Sequence, residues 1–216
     1  ASDVYKRQYL GRIAVTGKGI GILGGTFDPV HIGHLRMADA VYKYMKLEQV
    51  MFIPAYVAPH KVGMDIAPAD DRYAMTKLAI EPYSYFTVSD LELRRSGVSY
   101  TVDTLRELHR QYPEKQLYFI IGADSVEQLH TWNSIEEMLQ LATFIGAGRP
   151  GYEGIMDNVV KNLGEEARQH IMLLNTPEYD VSSTDIRERI REGASLMNLV
   201  PKVVEDYIYA HGLYKK

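Results

Sequence analysis

Residues 19–34 read GIGILGGTFDPVHIGH, and the change of pattern inside them decides the fold. Residues 20–23 are a short apolar run of strand length, and two glycines end it. Across residues 33–46 the apolar side chains Leu35, Ala38, Tyr42 and Met45 then fall at helical spacing. A buried strand that passes through a glycine turn into an amphipathic helix is the opening unit of a parallel sheet with crossover helices. The rhythm repeats outward. Residues 49–53 (QVMFI) predict a second strand ended by Pro54, and a Pro- and Gly-rich loop leads to a helix opened by Pro68. Strands are predicted at 86–93, 117–121 (LYFII), 142–147 (ATFIGA) and 171–174. Helices are predicted at 101–112, 134–141 and 154–164, from Ser182 or Ser183 to Glu192, and after Pro201. With no internal repeat and no linker, residues 18–216 read as one doubly wound, Rossmann-like α/β domain, a parallel sheet with helices on both faces. Ligands are then expected at the carboxyl ends of the strands.

Composition narrows the chemistry. A chain of 216 residues buries enough surface, about 70% of what it exposes unfolded, to need no staple. It has no cysteine, which excludes thiolate catalysis, disulfides and Cys-bearing zinc sites. Its 28 acidic residues outnumber its 24 basic ones, for a formal charge of −4, against a bulk nucleic-acid partner held by phosphate contacts. No apolar run approaches the ~18 to 20 residues of a membrane span. The first eighteen residues scatter charges where a signal peptide needs an apolar core. A cytoplasmic protein is expected, with residues 1–17, which have no period and no initiator Met, an extension or sequence artefact outside the fold.

Gly19, Gly21 and Gly24 match G-x-G-x-x-G, but that fingerprint must follow a strand and open a helix, and here it lies inside the predicted strand. A nicotinamide-cofactor site is therefore not expected. Residues 24–34, GGTFDPVHIGH, carry the stronger signal. Gly24 and Gly25 clear side chains from where a phosphate could meet the backbone, and Thr26 adds a hydroxyl. His31 and His34 flank a glycine at a helix N-terminus, whose free N–H groups and partial positive charge already favour anions. Two imidazoles there can donate to phosphoryl oxygens. Zinc is a weak alternative, because no third ligand lies near the pair. Farther on, SSTDIR at 182–187 reads as a second helix start, with Ser182 and Asp185 spaced as a capping box and Arg187 on the first turn. Alone it is a plain cap. Paired with the first block it supplies Ser182, Ser183, Thr184 and Arg187 to the other flank of a triphosphate.

The block GTFDPVHIGH resembles the nucleotidyltransferase superfamily, in which an H-x-G-H element binds the phosphates of a nucleoside triphosphate. It also resembles class I aminoacyl-tRNA synthetases, but those carry a lysine-rich loop and an RNA-binding domain, whereas SSTDIR is similar to the SSTxIR of adenylyltransferases that make NAD precursors. Residues 99–105 (SYTVDTL) and 122–124 (GAD), followed by Leu129 and Trp132, are similar to bacterial nicotinate-mononucleotide adenylyltransferases, and the likeness runs over about residues 20–214. The resemblance implies ATP and nicotinate mononucleotide as substrates, with Mg²⁺ arriving on ATP and no dedicated metal site. It assigns catalysis to His31, His34 and Arg187, and ATP binding to Gly24, Gly25, Thr26, Phe27, Gly33, Ser182, Ser183 and Thr184. On the substrate side it implies Thr101 and backbone beside Trp132 and Asn133 at the nicotinate carboxylate, Trp132 stacked on the pyridine ring and Asp124 on the ribose. Lys61, in PHK, and Arg149, in GRPG, fall near the nucleotide. Without the resemblance, Trp132 reads as core, Thr101 and Asp124 as helix caps, and Lys61 as a solvated charge. Three alternatives stand beside this reading. A phosphopantetheine adenylyltransferase usually has Thr where His31 stands, a cytidylyltransferase differs in the base pocket, and a nucleotide sensor keeps the phosphate site without catalysis.

Overall fold

A computed structural model of the chain describes residues 19–148, 154–176 and 180–215. Its strands are β1 (Gly19–Gly25), β2 (Gln49–Pro54), β3 (Phe86–Val88), β4 (Gln116–Gly122), β5 (Thr143–Gly148) and β6 (Ile171–Asn175). They form one all-parallel sheet in the order β3-β2-β1-β4-β5-β6. The chain winds one way from β1 through β2 to β3, then returns to the other side of β1 with β4. A crevice must open at the carboxyl ends of β1 and β4, where the winding reverses. The helices are α1 (Ile32–Met45), α2 (Ala69–Ile80), α3 (Leu91–Arg95), α4 (Thr101–Gln111), α5 (Ala123–Val126), α6 (Ile135–Leu141), α7 (Ile155–Leu163), α8 (Ser183–Glu192) and α9 (Lys202–Ala210). Alternate strand residues point to opposite faces. Leu23, Phe52, Ile120 and Ile145 therefore join α1, α2, α8 and α9 in one core layer. Ile22, Ile53, Phe119 and Phe144 join α3 to α7 in the other.

Gly19 and Gly21 lie within β1. A side chain on Gly19 would run into the Tyr118 ring, and a Cβ on Gly21 would stand 2.8 Å from Leu47. Their lack of a side chain serves strand packing, not a pyrophosphate. One predicted element is corrected. The strand expected at 86–93 stops at Val88, and α3 follows at Leu91. β3 is an edge strand that pairs with only three residues of β2, so no ladder continues past it. Instead Leu91 and Glu92 turn inward, and the Glu92 carboxylate accepts the Thr104 hydroxyl at 2.5 Å, docking α3 on α4. Among the described residues no helix is long and apolar enough to cross a membrane. The expectations for residues 1–18, and for Arg149 in its GRPG turn, lie outside the described residues.

Candidate active site

The chain leaves β1 at Gly25 and turns sharply. Phe27 adopts φ 48°, a left-handed conformation uncommon for a bulky side chain. The strain, of order 1–3 kcal/mol, is offset by full burial of the ring, which stabilises by about 1.5–3 kcal/mol. The Phe27 side chain, 3% exposed, lies edge-on beneath His34 with ring centres 5.0 Å apart, and tilts against Phe52. His31 takes the N-cap of α1, and its ring stacks on that of His34 at 3.7 Å. The His31 backbone N–H donates to His34 Nδ1 at 3.2 Å. That bond assigns the His34 proton to Nε2 and leaves it free to be given to a ligand. Burial pushes the His31 pKa down to about 4. Burial, and then the charge of His31, hold His34 well below the ordinary imidazole range. Both rings are therefore neutral at pH 7. Gly33 is closely enclosed: a Cβ there would stand 3.0 Å from both His31 Nδ1 and Val181, so these side chains would have to shift.

Val181 belongs to the approach to α8, and α8 supplies the opposite wall. Ser182 caps the helix by accepting the Asp185 N–H at 3.1 Å. The expected box is only half formed, since the Asp185 carboxylate pairs with Arg189 at 3.0 Å. Ser183 donates to the Pro29 carbonyl at 3.0 Å, and Arg187 Nη1 to the Asp28 carbonyl at 2.8 Å. The two helix N-termini are thus stitched to one loop, and their partial positive charges add in the space between them. That space is a cavity of about 190 Å³, lined among others by Thr26, Phe27, His34, Lys61, Ser183, Thr184 and Arg187. It is smaller than the roughly 300–1,000 Å³ of a pocket for a whole drug-sized ligand, and suits phosphate groups. Lys61 closes a short 3-10 turn, Pro59–Lys61, and its side chain makes no hydrogen bond or ion pair among the described residues.

Residues 22–189 match the family model described as cytidylyltransferase-like. The chain is 45% identical over 200 residues to a protein of Desulfitobacterium hafniense (strain DSM 10664 / DCB-2) named as a nicotinate-nucleotide adenylyltransferase, covering 92% of this chain and 96% of that one. A protein of the same name from Thermus thermophilus is 45% identical over 196 residues, covering 91% and 99%. The chain belongs to the nicotinate-nucleotide adenylyltransferase family. In fold it matches the Plasmodium falciparum nicotinic acid mononucleotide adenylyltransferase complexed with NaAD, with a TM-score of 0.75 at 21% identity, over 91% of this chain and 97% of that one.

Of the residues expected to serve this family's chemistry, the cavity gathers Thr26, Phe27, His34, Lys61, Ser183, Thr184 and Arg187. His31 lies behind His34, with its Nδ1 buried and unpartnered. Gly24, Gly25, Gly33 and Ser182 shape the loop and the two helix starts without lining the cavity. Thr101, Asp124, Trp132 and Asn133 also stand apart from it. Asp124 follows the carboxyl end of β4, the strand beside β1, and is exposed. Gly122, not Asp124, is the N-cap of α5, and Tyr100, not Thr101, is the N-cap of α4. Trp132 is half-buried, one edge set against Phe119 and Phe144 with ring centres 6.2 and 6.3 Å away. The indole is anchored in the core layer without being consumed by it. Asn133 is exposed and accepts the Ser134 hydroxyl.

Three residues at the centre of this arrangement were not singled out from the sequence. Arg72, 1% exposed, donates to the carbonyls of Thr26 (2.7 Å), Ala55 (2.6 Å), Tyr56 (2.8 Å) and Ala67 (2.9 Å), tying the end of β2 and the approach to α2 to the loop after β1. Asp28, 5% exposed, accepts from the Ala67 N–H at 3.1 Å and from the Tyr214 hydroxyl at 2.7 Å, both on Oδ1. In sequence, Arg72 sits in ADDRYAM, indistinguishable from a solvated helix position, and Tyr214 in a terminal stretch without a motif. Asp28 was visible inside GTFDPVH, but nothing in the spacing gave it a partner.

Proposed function

We propose that the chain transfers the adenylyl group of ATP to nicotinate mononucleotide, yielding deamido-NAD and pyrophosphate for NAD synthesis. The observation that carries this reading is the convergence of His34, Lys61, Arg187 and the start of α8 on one phosphate-sized cavity, in a chain of this family. The attacking atom is a phosphate oxygen of the mononucleotide, already anionic at pH 7. It forms a bond to the α-phosphorus of ATP as the bond from that phosphorus to the bridging oxygen breaks, and pyrophosphate leaves with the electron pair. No nucleophilic side chain and no general base is needed. The work lies in alignment and in charge stabilisation. His34 Nε2–H, Arg187 and the Thr184 hydroxyl donate to the phosphoryl oxygens, Ser183, its own hydroxyl given to the Pro29 carbonyl, holds the start of α8 against the loop, and Lys61 meets the spreading charge. Thr26 and the loop held by Arg72 position the chain around them.

Among the described residues no three His, Asp or Glu side chains form a metal cluster. The donors present suit a Mg²⁺ ion carried by phosphate oxygens and water, which when bound supplies further neutralisation of phosphate charge. We assign the nicotinate half to the Thr101, Asp124, Trp132 and Asn133 side of the crevice, on the resemblance of those segments to the family, with Arg149 near the nucleotide. A carboxylate only accepts hydrogen bonds, whereas the amide of nicotinamide mononucleotide would turn donors toward the donors of Thr101 and the backbone. One or two unpaired groups at about 1–3 kcal/mol each predict a preference for the acid of roughly ten- to several-hundred-fold in kcat/KM. Pyrophosphate release measured with both mononucleotides, and with ATP against CTP, tests the reading. Turnover with ATP and the acid supports it, no turnover indicates a sensor, a preference for CTP a cytidylyltransferase, and equal efficiencies overturn the acid specificity.

A further inference from the structure

Beyond α9 the chain does not trail away. It turns through two left-handed residues, Gly212 at φ 65° and Tyr214 at φ 63°, with the Leu213 N–H bonded back to the Ile208 carbonyl at 3.0 Å. Leu213 and Tyr214 pack against the core layer that holds α1 and α8. A left-handed conformation at a tyrosine is costly and persists only where its surroundings hold it. The turn delivers the phenol to Asp28, at the floor of the phosphate cavity, 186 positions away in sequence.

Asp28 also faces Arg187, and the bonds are unevenly shared. Asp28 Oδ1 takes both the Tyr214 hydroxyl and the Ala67 N–H, while Oδ2 and Arg187 Nη1 form a loose ion pair at 3.8 Å, too long for a hydrogen bond. Arg187 is bonded instead to the Asp28 carbonyl at 2.8 Å and to the Thr184 hydroxyl at 3.3 Å. A buried carboxylate beside a guanidinium ordinarily closes on it in a short, often bidentate pair. We propose that Tyr214 is a positioning residue for the phosphate site: by occupying Asp28 Oδ1 it keeps the carboxylate from closing on Arg187, so that the guanidinium stays open to phosphate. The claim rests on the role given to Arg187 above. Burial and the neighbouring Asp28 raise the phenol's pKa, so it remains a protonated donor throughout the working range.

Tyr214→Phe removes the hydroxyl and keeps the ring. Tyr207→Phe is the control, because Tyr207, on α9, gives up a comparable bond to the carboxylate of Asp71 at 2.8 Å, away from the cavity. Titration calorimetry with MgATP should show binding weakened roughly tenfold in Tyr214→Phe, equivalent to about 1.4 kcal/mol, and within about twofold of wild type in Tyr207→Phe. In an Arg187→Ala background Tyr214→Phe should cause no further loss. A crystal structure of Tyr214→Phe reads the geometry without ligand, and Asp28 Oδ2 should close from 3.8 Å to hydrogen-bond distance of Arg187. An unchanged separation overturns the proposal, as does wild-type affinity in Tyr214→Phe, an equal loss in Tyr207→Phe, or a full additional loss without Arg187. Wild-type protein that binds MgATP but releases no pyrophosphate with either mononucleotide would fail the catalytic reading while leaving these measurements decisive.

Discussion

Two substitutions at His34 separate the jobs of its two nitrogens. Nδ1 accepts the His31 N–H at 3.2 Å and so closes the first turn of α1, while Nε2–H is the group we assign to phosphate. The amide oxygen of Asn can stand where Nδ1 stands, and the amide nitrogen of Gln can reach the position of Nε2. His34→Asn keeps the acceptor and loses the donor, and His34→Gln does the reverse. Both lose the ring contacts with Phe27 and His31, so the informative quantity is the difference between them. Loss of one transition-state donor costs roughly 10²–10³ in kcat, or about 2.7–4 kcal/mol. Loss of a capping acceptor costs about 0.5–2 kcal/mol, which at about 2–4 °C per kcal/mol for a domain of this size is a shift of a few degrees. In thermal melts and steady-state pyrophosphate assays, His34→Asn should melt higher than His34→Gln yet turn over at least about tenfold more slowly. The reasoning is refuted if His34→Asn turns over like wild type, or if one variant is the better in both assays.

Burial keeps His31 neutral down to about pH 4, whereas in the unfolded chain it takes up a proton near pH 6.5. Its contribution to stability is therefore full above about pH 6.5 and falls as pH drops toward about 4, by up to about 1.4 kcal/mol per unit. Melts across that range should show a shallower slope in His31→Asn, and an unchanged slope would show that His31 is not the group responsible. Arg72→Met strands four carbonyls that now share one buried guanidinium. A loss of roughly 3–5 kcal/mol, a melting temperature lower by at least about 6 °C, is expected, and a drop under about 2 °C would deny it a structural role. Thr101→Val should erode the preference for nicotinate over nicotinamide mononucleotide without abolishing turnover, and an intact preference would move discrimination elsewhere.

What could be read in the sequence was local. The apolar run 20–23 and the glycines after it announce β1 and its turn, and Ser182 followed by a periodic stretch ended at Gly193 announces α8, because caps and periodicity act within a few residues. The misread element, FTVSDLEL, illustrates the limit. Its alternation suits a strand, but at the sheet edge it has one neighbour and pairs with only three of its residues, and Glu92 turns inward to partners such as Thr104 that lie outside the segment. The site divides the same way. His31, His34, Ser183 and Arg187 were legible as two helix starts that favour anions. Arg72 and Tyr214 were not, since the loop residues they hold, Thr26 and Asp28, lie 46 and 186 positions away and neither carries a motif that names them.

The same separation has a consequence for how the molecule is made. Residues 25–34 leave the ribosome among the first of the fold, yet they are enclosed only when Ser183 reaches Pro29 and Arg187 reaches Asp28. A nascent chain that has completed β1 to β6 possesses the sheet, both faces of the crevice and one helix start, but not the second. It holds a half-built phosphate site that lacks its arginine. The second wall of the cavity and its guanidinium are therefore the last parts of the site to be synthesised, and they arrive together with α8.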